Sequence, residues 1–339
     1  MLVAYENQQA VFAKDAQPNH DYRCPACDSP VRLRRGRVMI AHFAHLPGAE
    51  CAVSEGETSE HLLGKQQIFD WLRAHGYDPQ MEVYLGEIHQ RPDLLFSDHG
   101  VLTAVEFQCS PLSLTRLRER NDGYRRMGIR FVWALGKPYR HSLSRAKTAQ
   151  FTQMDHCGRP ALIYWNTQSK QFEYHTEYYR CSFASAATKY QSVSLTRPTP
   201  DPSVLQLLSR ALSEIQQPLA HCPLVCHDNF PTWPTMRVEL IYWRIAVVIV
   251  LTRRSLFSSW TAAEWSRMLI QIGQGWWLEF TCLQSTPRKQ VIADFTQQLI
   301  AAGIIMKYQR SYILITHPHW FENLDDKYRA IRTVSKKSA

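Results

Sequence analysis

Two acidic positions thirteen residues apart carry the strongest chemical signal in this chain: Asp93, in Arg91-Pro92-Asp93, and Glu106, in Glu106-Phe107-Gln108. Asp93 heads an apolar run (Leu94, Leu95, Phe96), and Glu106 closes another (Val101 to Val105). Side chains alternate along a strand, so Glu106 and Gln108 share one face while Phe107 takes the other. Two adjacent strands would then hold Asp93 and Glu106 a few ångströms apart. At about 4 Å two carboxylates repel by roughly 4 kcal/mol at an effective dielectric of about 20. A hard divalent cation such as Mg²⁺ offsets that repulsion and suits oxygen ligands. Metal-dependent phosphodiester chemistry is what this spacing predicts.

A second constellation lies upstream. Cys24-Pro25-Ala26-Cys27 forms a Cys-x2-Cys knuckle, and His42-Phe43-Ala44-His45 follows after fourteen residues. Two thiolates and two imidazoles match a tetrahedral structural Zn²⁺, with Cys51 as the alternative ligand in place of one histidine. A stretch of fifty residues with few large aliphatics gains a crosslink from such a metal. The basic strip Arg32, Arg34, Arg35 and Arg37 lies between the two halves and is a candidate for phosphate contacts.

The elements that must position these residues follow from periodicity. Ser59 caps a helix running through Leu62, Leu63, Ile68, Phe69 and Leu72 to Gly76. Strands are expected at 80–85, 91–96 and 101–108, a helix over about 113–127, and a fourth strand from Ile129 to Leu135. Helix, three strands, helix, strand gives an α/β (α+β) fold, a mixed sheet with helices packed on it. A hairpin is expected from Ala161–Trp165 and Gln171–His175. Residues 191–203, rich in Ser, Thr and Pro, read as a linker. The division is therefore 1–52, a zinc-finger-like module; 53–190, the domain bearing Asp93 and Glu106; and 204–339, mainly helical. Helices at 203–217, 261–273 and 287–302 precede a hairpin of Ile304–Tyr308 with Tyr312–Thr316, a winged-helix-like succession. Trp243, Trp276 and Trp277 are expected in the core. The cluster His221, Cys222, Cys226, His227 reads as loop packing before a second zinc site, and Lys336-Lys337 as a disordered tail.

At 339 residues the chain can bury more than one core, and its net charge of +9 with pI near 9.1 favours a polyanionic partner, nucleic acid first. Met1 to Asn7 shows neither a basic n-region nor an apolar h-region, so no signal peptide is expected. Val238 to Leu251 is too short to span a bilayer and carries Glu239 and Arg244, which predicts no membrane partner. Nine unevenly spaced cysteines argue against a secreted disulfide framework and for a reducing cytoplasm.

These motifs, in this order, resemble the competence protein CoiA family, and more broadly the PD-(D/E)XK nuclease superfamily. The resemblance rests on Cys24-Pro25-Ala26-Cys27, His42-Phe43-Ala44-His45, Ser59-Glu60-His61-Leu62-Leu63-Gly64-Lys65, Arg91-Pro92-Asp93, Glu106-Phe107-Gln108-Cys109-Ser110, Arg120, Tyr124 and Val132-Trp133-Ala134-Leu135-Gly136. It covers about residues 1–180 and implies a restriction-endonuclease-like core over 53–190 behind a zinc-ribbon-like module. By resemblance, Asp93 and Glu106, completed by Glu60, would ligate Mg²⁺ or Mn²⁺. His61 and Lys65, one helical turn apart, would orient water and hold a phosphate. Arg91, Arg120 and Tyr124 would contact DNA. The superfamily's usual lysine is Gln108 here, which orients water by hydrogen bonds but supplies no positive charge. The implied activity is that of a deoxyribonuclease that processes incoming DNA, single-stranded DNA among the candidates, in natural transformation alongside recombination proteins. The alternatives are a DNA-binding recombination accessory with little turnover and a repair or defence nuclease of the same superfamily.

Overall fold

The computed structural model describes residues 1–37, 39–51, 57–141, 143–176, 184–197, 201–227, 233–283 and 287–337. The chain forms two compact units: Met1–Thr176 with Phe280–Gln284, and Glu177–Glu279 with Ser285–Ala339.

The first unit begins with a five-stranded antiparallel sheet of order β2-β1-β3-β4-β5, built from β1 (Val3–Glu6), β2 (Gln9–Phe12), β3 (Tyr22–Arg23), β4 (Pro30–Arg34) and β5 (His42–His45). Its small core is Met1, Ala4, Ala13, Tyr22, Val31 and Phe43 together with Cys24. Helix α1 (Ser59–Ala74) follows. Thr58 caps it, accepting the His61 N–H at 3.1 Å, one residue ahead of the expected Ser59.

A seven-stranded sheet completes the unit. It contains β6 (Gln80–Met81), β7 (Leu94–Asp98), β8 (Val101–Gln108), β9 (Arg130–Leu135), β10 (Gln153–Met154), β11 (Pro160–Asn166) and β12 (Gln171–His175). The path β10-β11-β9-β8-β7-β6 is mixed: β8 runs parallel to β9 and β9 to β11, while β12 pairs antiparallel with β11. Helices α2 (Leu114–Arg126) and α3 (Arg145–Phe151) connect its strands.

Central strand β8 is buried from Thr103 to Gln108, because both its faces are covered. Val105 and Phe107 pack with Leu62, Ile68 and Phe69 of α1, whereas Ala104 packs with Tyr124 of α2. Close approach of α1 needs Gly64: a Cβ there would stand 2.0 Å from the Phe107 ring. That glycine lets the helix settle onto β8 and brings His61 over the strand, with its ring 6.0 Å from that of Phe107.

The second unit is helical around a three-stranded sheet. It holds α4 (Ala184–Ser194), α5 (Pro202–Arg210), α6 (Leu240–Thr252), β13 (Ser259–Thr261), α7 (Ala262–Ile272), α8 (Arg288–Ala301), β14 (Ile305–Tyr308), β15 (Ser311–Leu314) and α9 (Leu324–Lys337). Trp243 of α6 is fully buried against Phe295 of α8 and Trp277, as expected of core tryptophans. The stretch read as a linker is partly helical, since α4 and α5 run into it, and Pro198–Pro200 lies outside the described residues. Helix α9 continues to Lys337, so the tail expected to be disordered is helical there.

Candidate active site

Asp93 immediately precedes β7, and its carboxylate turns toward α1. Oδ2 accepts the Phe107 N–H at 2.8 Å and lies 3.1 Å from His61 Nε2, while Oδ1 is 3.6 Å from Lys65 Nζ. Helical spacing explains the convergence. Glu57, His61 and Lys65 recur every four residues along one face of α1 and its lead-in, and Glu57 Oε1 lies 3.6 Å from His61 Nδ1. Among the described residues, ligand atoms of Glu57, His61 and Asp93 lie within 4.8 Å of one another.

Lys65 is 1 % exposed and is bound by the carboxylates of Glu57 and Glu82. Burial disfavours its charge, but Glu57, Glu82 and Asp93 more than compensate and raise its pKa. It is therefore a buried counter-ion, not the phosphate holder expected. Burial likewise opposes ionisation of Glu57 and of Asp93. Lys65 first, then the Met1 ammonium and then His61 hold Glu57 below the usual carboxylate range, and for Asp93 His61 leads and Lys65 follows. Glu82 is held down as well, Lys65, the Met1 ammonium and Arg91 together outweighing its burial.

Glu82 accepts the amide N–H groups of Leu2 and Val3 at 2.7 and 3.0 Å, which ties β1 to the site. Its backbone is left-handed at φ 56°, a conformation costing a non-glycine residue on the order of 1–2 kcal/mol. Arg91 packs into this cluster, donating toward Met1 Sδ at 3.3 Å. Burial disfavours its charge, but Glu82, Glu57, Cys24 and Asp93 together prevail and raise its pKa.

Lys65→Met removes the buried cation that Glu57 and Glu82 share, so a loss of about 3–5 kcal/mol is expected in urea unfolding. The pH dependence has a defined sign. With Glu57, Glu82 and Asp93 depressed, the stability they contribute is complete above roughly pH 5 and lost progressively as pH falls further. Glu106 acts oppositely, because its pKa is raised by burial and by the neighbouring charge of Asp93, against the pull of Arg120. The unfolding midpoint is expected to drop steeply on acidification below about pH 4, and less steeply in Glu57→Gln.

Asp93 and Glu106 do not share a ligand position. Glu106, 3 % exposed, receives hydrogen bonds from Arg120 and Tyr124 of α2, on the sheet face opposite α1. Strand alternation explains this: Phe107 faces α1, so Glu106 faces α2. Arg120 and the fully buried Tyr124 are thereby committed to Glu106, not to a DNA surface. Gln108 also turns away, its amide donating to the Ser110 carbonyl at 2.7 Å. Glu60 is one helical step off the His61 face and accepts the Lys137 N–H at 2.7 Å, outside the metal-capable group.

The upstream cluster converges on four ligands: Cys24, Cys27, His45 and Cys51 have donor atoms within 4.8 Å of one another. Cys51, the alternative ligand, is present, and His42 is not. Three residues apart on β5, His42 and His45 fall on opposite faces. His42 Nδ1 lies 2.9 Å from the Ile40 carbonyl, while His45 Nε2 is 3.4 Å from Cys27 Sγ. The knuckle amide of Ala26 donates to Cys24 Sγ at 3.5 Å, a contact that favours a thiolate. Burial raises the Cys27 pKa, but hydrogen bonds from Ser29 and His45 prevail and lower it to about 6. Three thiols and one imidazole fit Zn²⁺.

Of the basic strip, Arg32, Arg34 and Arg37 are exposed, and Arg35 donates to the carbonyls of Lys14 and Ala16 at 3.1 and 2.6 Å. In the other unit, Cys222 Sγ lies 3.6 Å from His227 Nε2 and 3.5 Å from Lys327 Nζ, all buried. No metal-capable group forms around it among the described residues.

Residues 57–204 match the family described as competence protein CoiA, nuclease-like domain, and residues 5–54 match competence protein CoiA, N-terminal domain. The chain belongs to the competence protein CoiA family. Competence protein CoiA of Bacillus subtilis (strain 168) is 33% identical over 114 residues, which are 33% of this chain and 31% of that protein. The aligned segment thus spans about a third of the length of that relative. No solved structure gives a significant match. No helix among the described residues is long and apolar enough to cross a membrane.

The nuclease-like match begins at Glu57, an acid outside the expected ligand set. Its signal was there, since Glu57, His61 and Lys65 are evenly spaced by four. Glu82 gave no such signal, because its role depends on amides eighty residues upstream.

Proposed function

We propose that this CoiA-family chain is a divalent-metal-dependent deoxyribonuclease of the PD-(D/E)XK type that acts on incoming DNA in the cytoplasm during natural transformation. The observation that carries the reading is the Glu57–His61–Asp93 group, with both carboxylates held ionised beside an imidazole. That donor set fits Mg²⁺ or Mn²⁺ in hardness and charge. A bound ion would polarise a phosphate oxygen and lower the pKa of a water.

The chain's own residues do the rest. His61, 17 % exposed in its side chain, would give the ion one ring nitrogen while the other stays toward a carboxylate of the group. The Phe107 N–H fixes the Asp93 carboxylate in orientation, and buried Lys65 keeps it ionised. Glu106, pinned by Arg120 and Tyr124, supports the sheet next to the site from the α2 side. Cys24, Cys27, His45 and Cys51 would hold a structural zinc that crosslinks the N-terminal sheet, and the Leu2 and Val3 amides hold Glu82. The exposed arginines of β4 and the turn after it would meet the DNA backbone, and recombination proteins are the partners expected downstream.

A non-catalytic DNA-binding accessory is the second reading, favoured by Gln108 turning to Ser110 and by the absence of Glu106 from the acid cluster. Incubation with single-stranded, duplex and branched DNA, with and without Mg²⁺ or Mn²⁺, separates the two. Metal-dependent cleavage supports the enzyme, and binding without cleavage in either metal supports the accessory.

A further inference from the structure

We propose that the second unit contains a winged-helix module that binds duplex DNA through α8 and the β14–β15 turn. The order α6, β13, α7, α8, β14, β15, with sheet order β13-β15-β14, is the succession helix, strand, helix, helix, two-stranded wing. Its core shows how the parts are locked. Trp265 of α7 packs on Trp260 of β13 and Tyr312 of β15, and donates to Thr296 of α8 at 2.9 Å. A capping box between Thr261 and Glu264 starts α7 directly at the end of β13.

Helix α8 buries Ile292, Phe295 and Leu299 in this core. Its opposite face presents Lys289, Gln290, Ala293, Asp294 and Gln297 to solvent. This face is polar and carries no large apolar side chain, unlike a surface made for a protein partner. Small and amide side chains at this spacing suit a helix lying in a major groove, where Gln pairs with adenine edges and Lys with guanine or phosphate. The single acid, Asp294, accepts from the Gln290 amide at 2.7 Å.

Beside the helix stands the hairpin turn, where Tyr308 pairs with Ser311 around Gln309 and Arg310. Lys307, Tyr308 and Arg310 are exposed there, Tyr308 to 57 %. The charge balance agrees. This unit has eighteen Lys and Arg against eleven Asp and Glu, so it holds most of the formal +9 of the chain. A polyanion is the occupant that such a polar, basic face accepts.

The proposal uses no residue of the acid cluster in the first unit, so it stands or falls separately from the nuclease reading. The test is fluorescence anisotropy of a labelled DNA duplex titrated with full-length protein over a series of salt concentrations, without added divalent metal. Lys289→Glu with Arg310→Glu is expected to weaken binding by about tenfold or more and to lower the salt slope by about two. Lys170→Gln, in the turn between β11 and β12 of the first unit, is expected to leave both unchanged. Thermal melting checks the fold, and the milder pair Lys289→Gln with Lys307→Gln gives the same direction of change should charge reversal disturb it. Unchanged affinity and slope in the folded variants would overturn the proposal and leave the face to another partner. Equal losses on single strands and duplex would overturn its duplex assignment.

Discussion

Asp93→Asn is expected to reduce metal-dependent DNA cleavage by on the order of 10³-fold or more while leaving DNA affinity nearly intact. The substitution keeps the side chain's shape and its acceptor for the Phe107 N–H, but removes the charge that faces His61 and Lys65. Buried charge clusters punish loss of one member, so some loss of stability accompanies it. Activity must therefore be compared at a temperature where both proteins are folded. Glu57→Gln should approach the same loss, because Glu57 is the second acid of the group. Glu60→Gln should cost far less, since its carboxylate serves the Lys137 amide. Equal cleavage by wild type and Asp93→Asn would remove the enzymatic reading and leave a DNA-binding one.

The second large effect concerns zinc. Purified protein is expected to carry about one zinc per chain, held by three thiolates and one imidazole. Structural zinc contributes apparent folding free energies of about 10–16 kcal/mol in small zinc peptides, so its loss should melt the sheet around β3, β4 and β5. His45→Ala and Cys51→Ser are expected to abolish zinc in elemental analysis and to lower the melting temperature as chelation of the wild type does. His42→Ala is expected to retain zinc, because its ring meets the Ile40 carbonyl instead. Zinc retained in His45→Ala and lost in His42→Ala would reverse the assignment. Consequences should extend beyond the sheet: Leu2 and Val3 of the same unit hold Glu82, and Glu82 holds Lys65.

What could be read in advance follows from the range of the interactions involved. Local periodicity located α1, α2, β8, β9 and the hairpins to within a few residues, since each is specified by its own pattern of apolar positions. The pairing of Asp93 with Glu106 failed for a reason equally physical. Strand alternation in β8 alone leaves open which helix covers which face. Once α1 lies over Phe107, Glu106 must face α2, and the acid beside Asp93 has to come from the lead-in to α1. The same alternation, applied to β5, would have separated His42 from His45. Glu82 was beyond reach, because its partners come from a different sheet and its left-handed backbone has no glycine to announce it. Gln108 was legible as a departure from the usual lysine; its amide turns to Ser110, while Lys65 Nζ stands 3.6 Å from Asp93 Oδ1.

Glu57, His61 and Asp93 would together bind the catalytic divalent ion. Titration of Mn²⁺ into zinc-loaded protein, followed by electron paramagnetic resonance of the free ion, tests it most directly. Saturable binding by wild type, lost in Asp93→Asn and strongly weakened in Glu57→Gln and His61→Ala, is the predicted result. Mn²⁺ binding that is identical in wild type and all three variants, or absent from wild type even with DNA present, would contradict it.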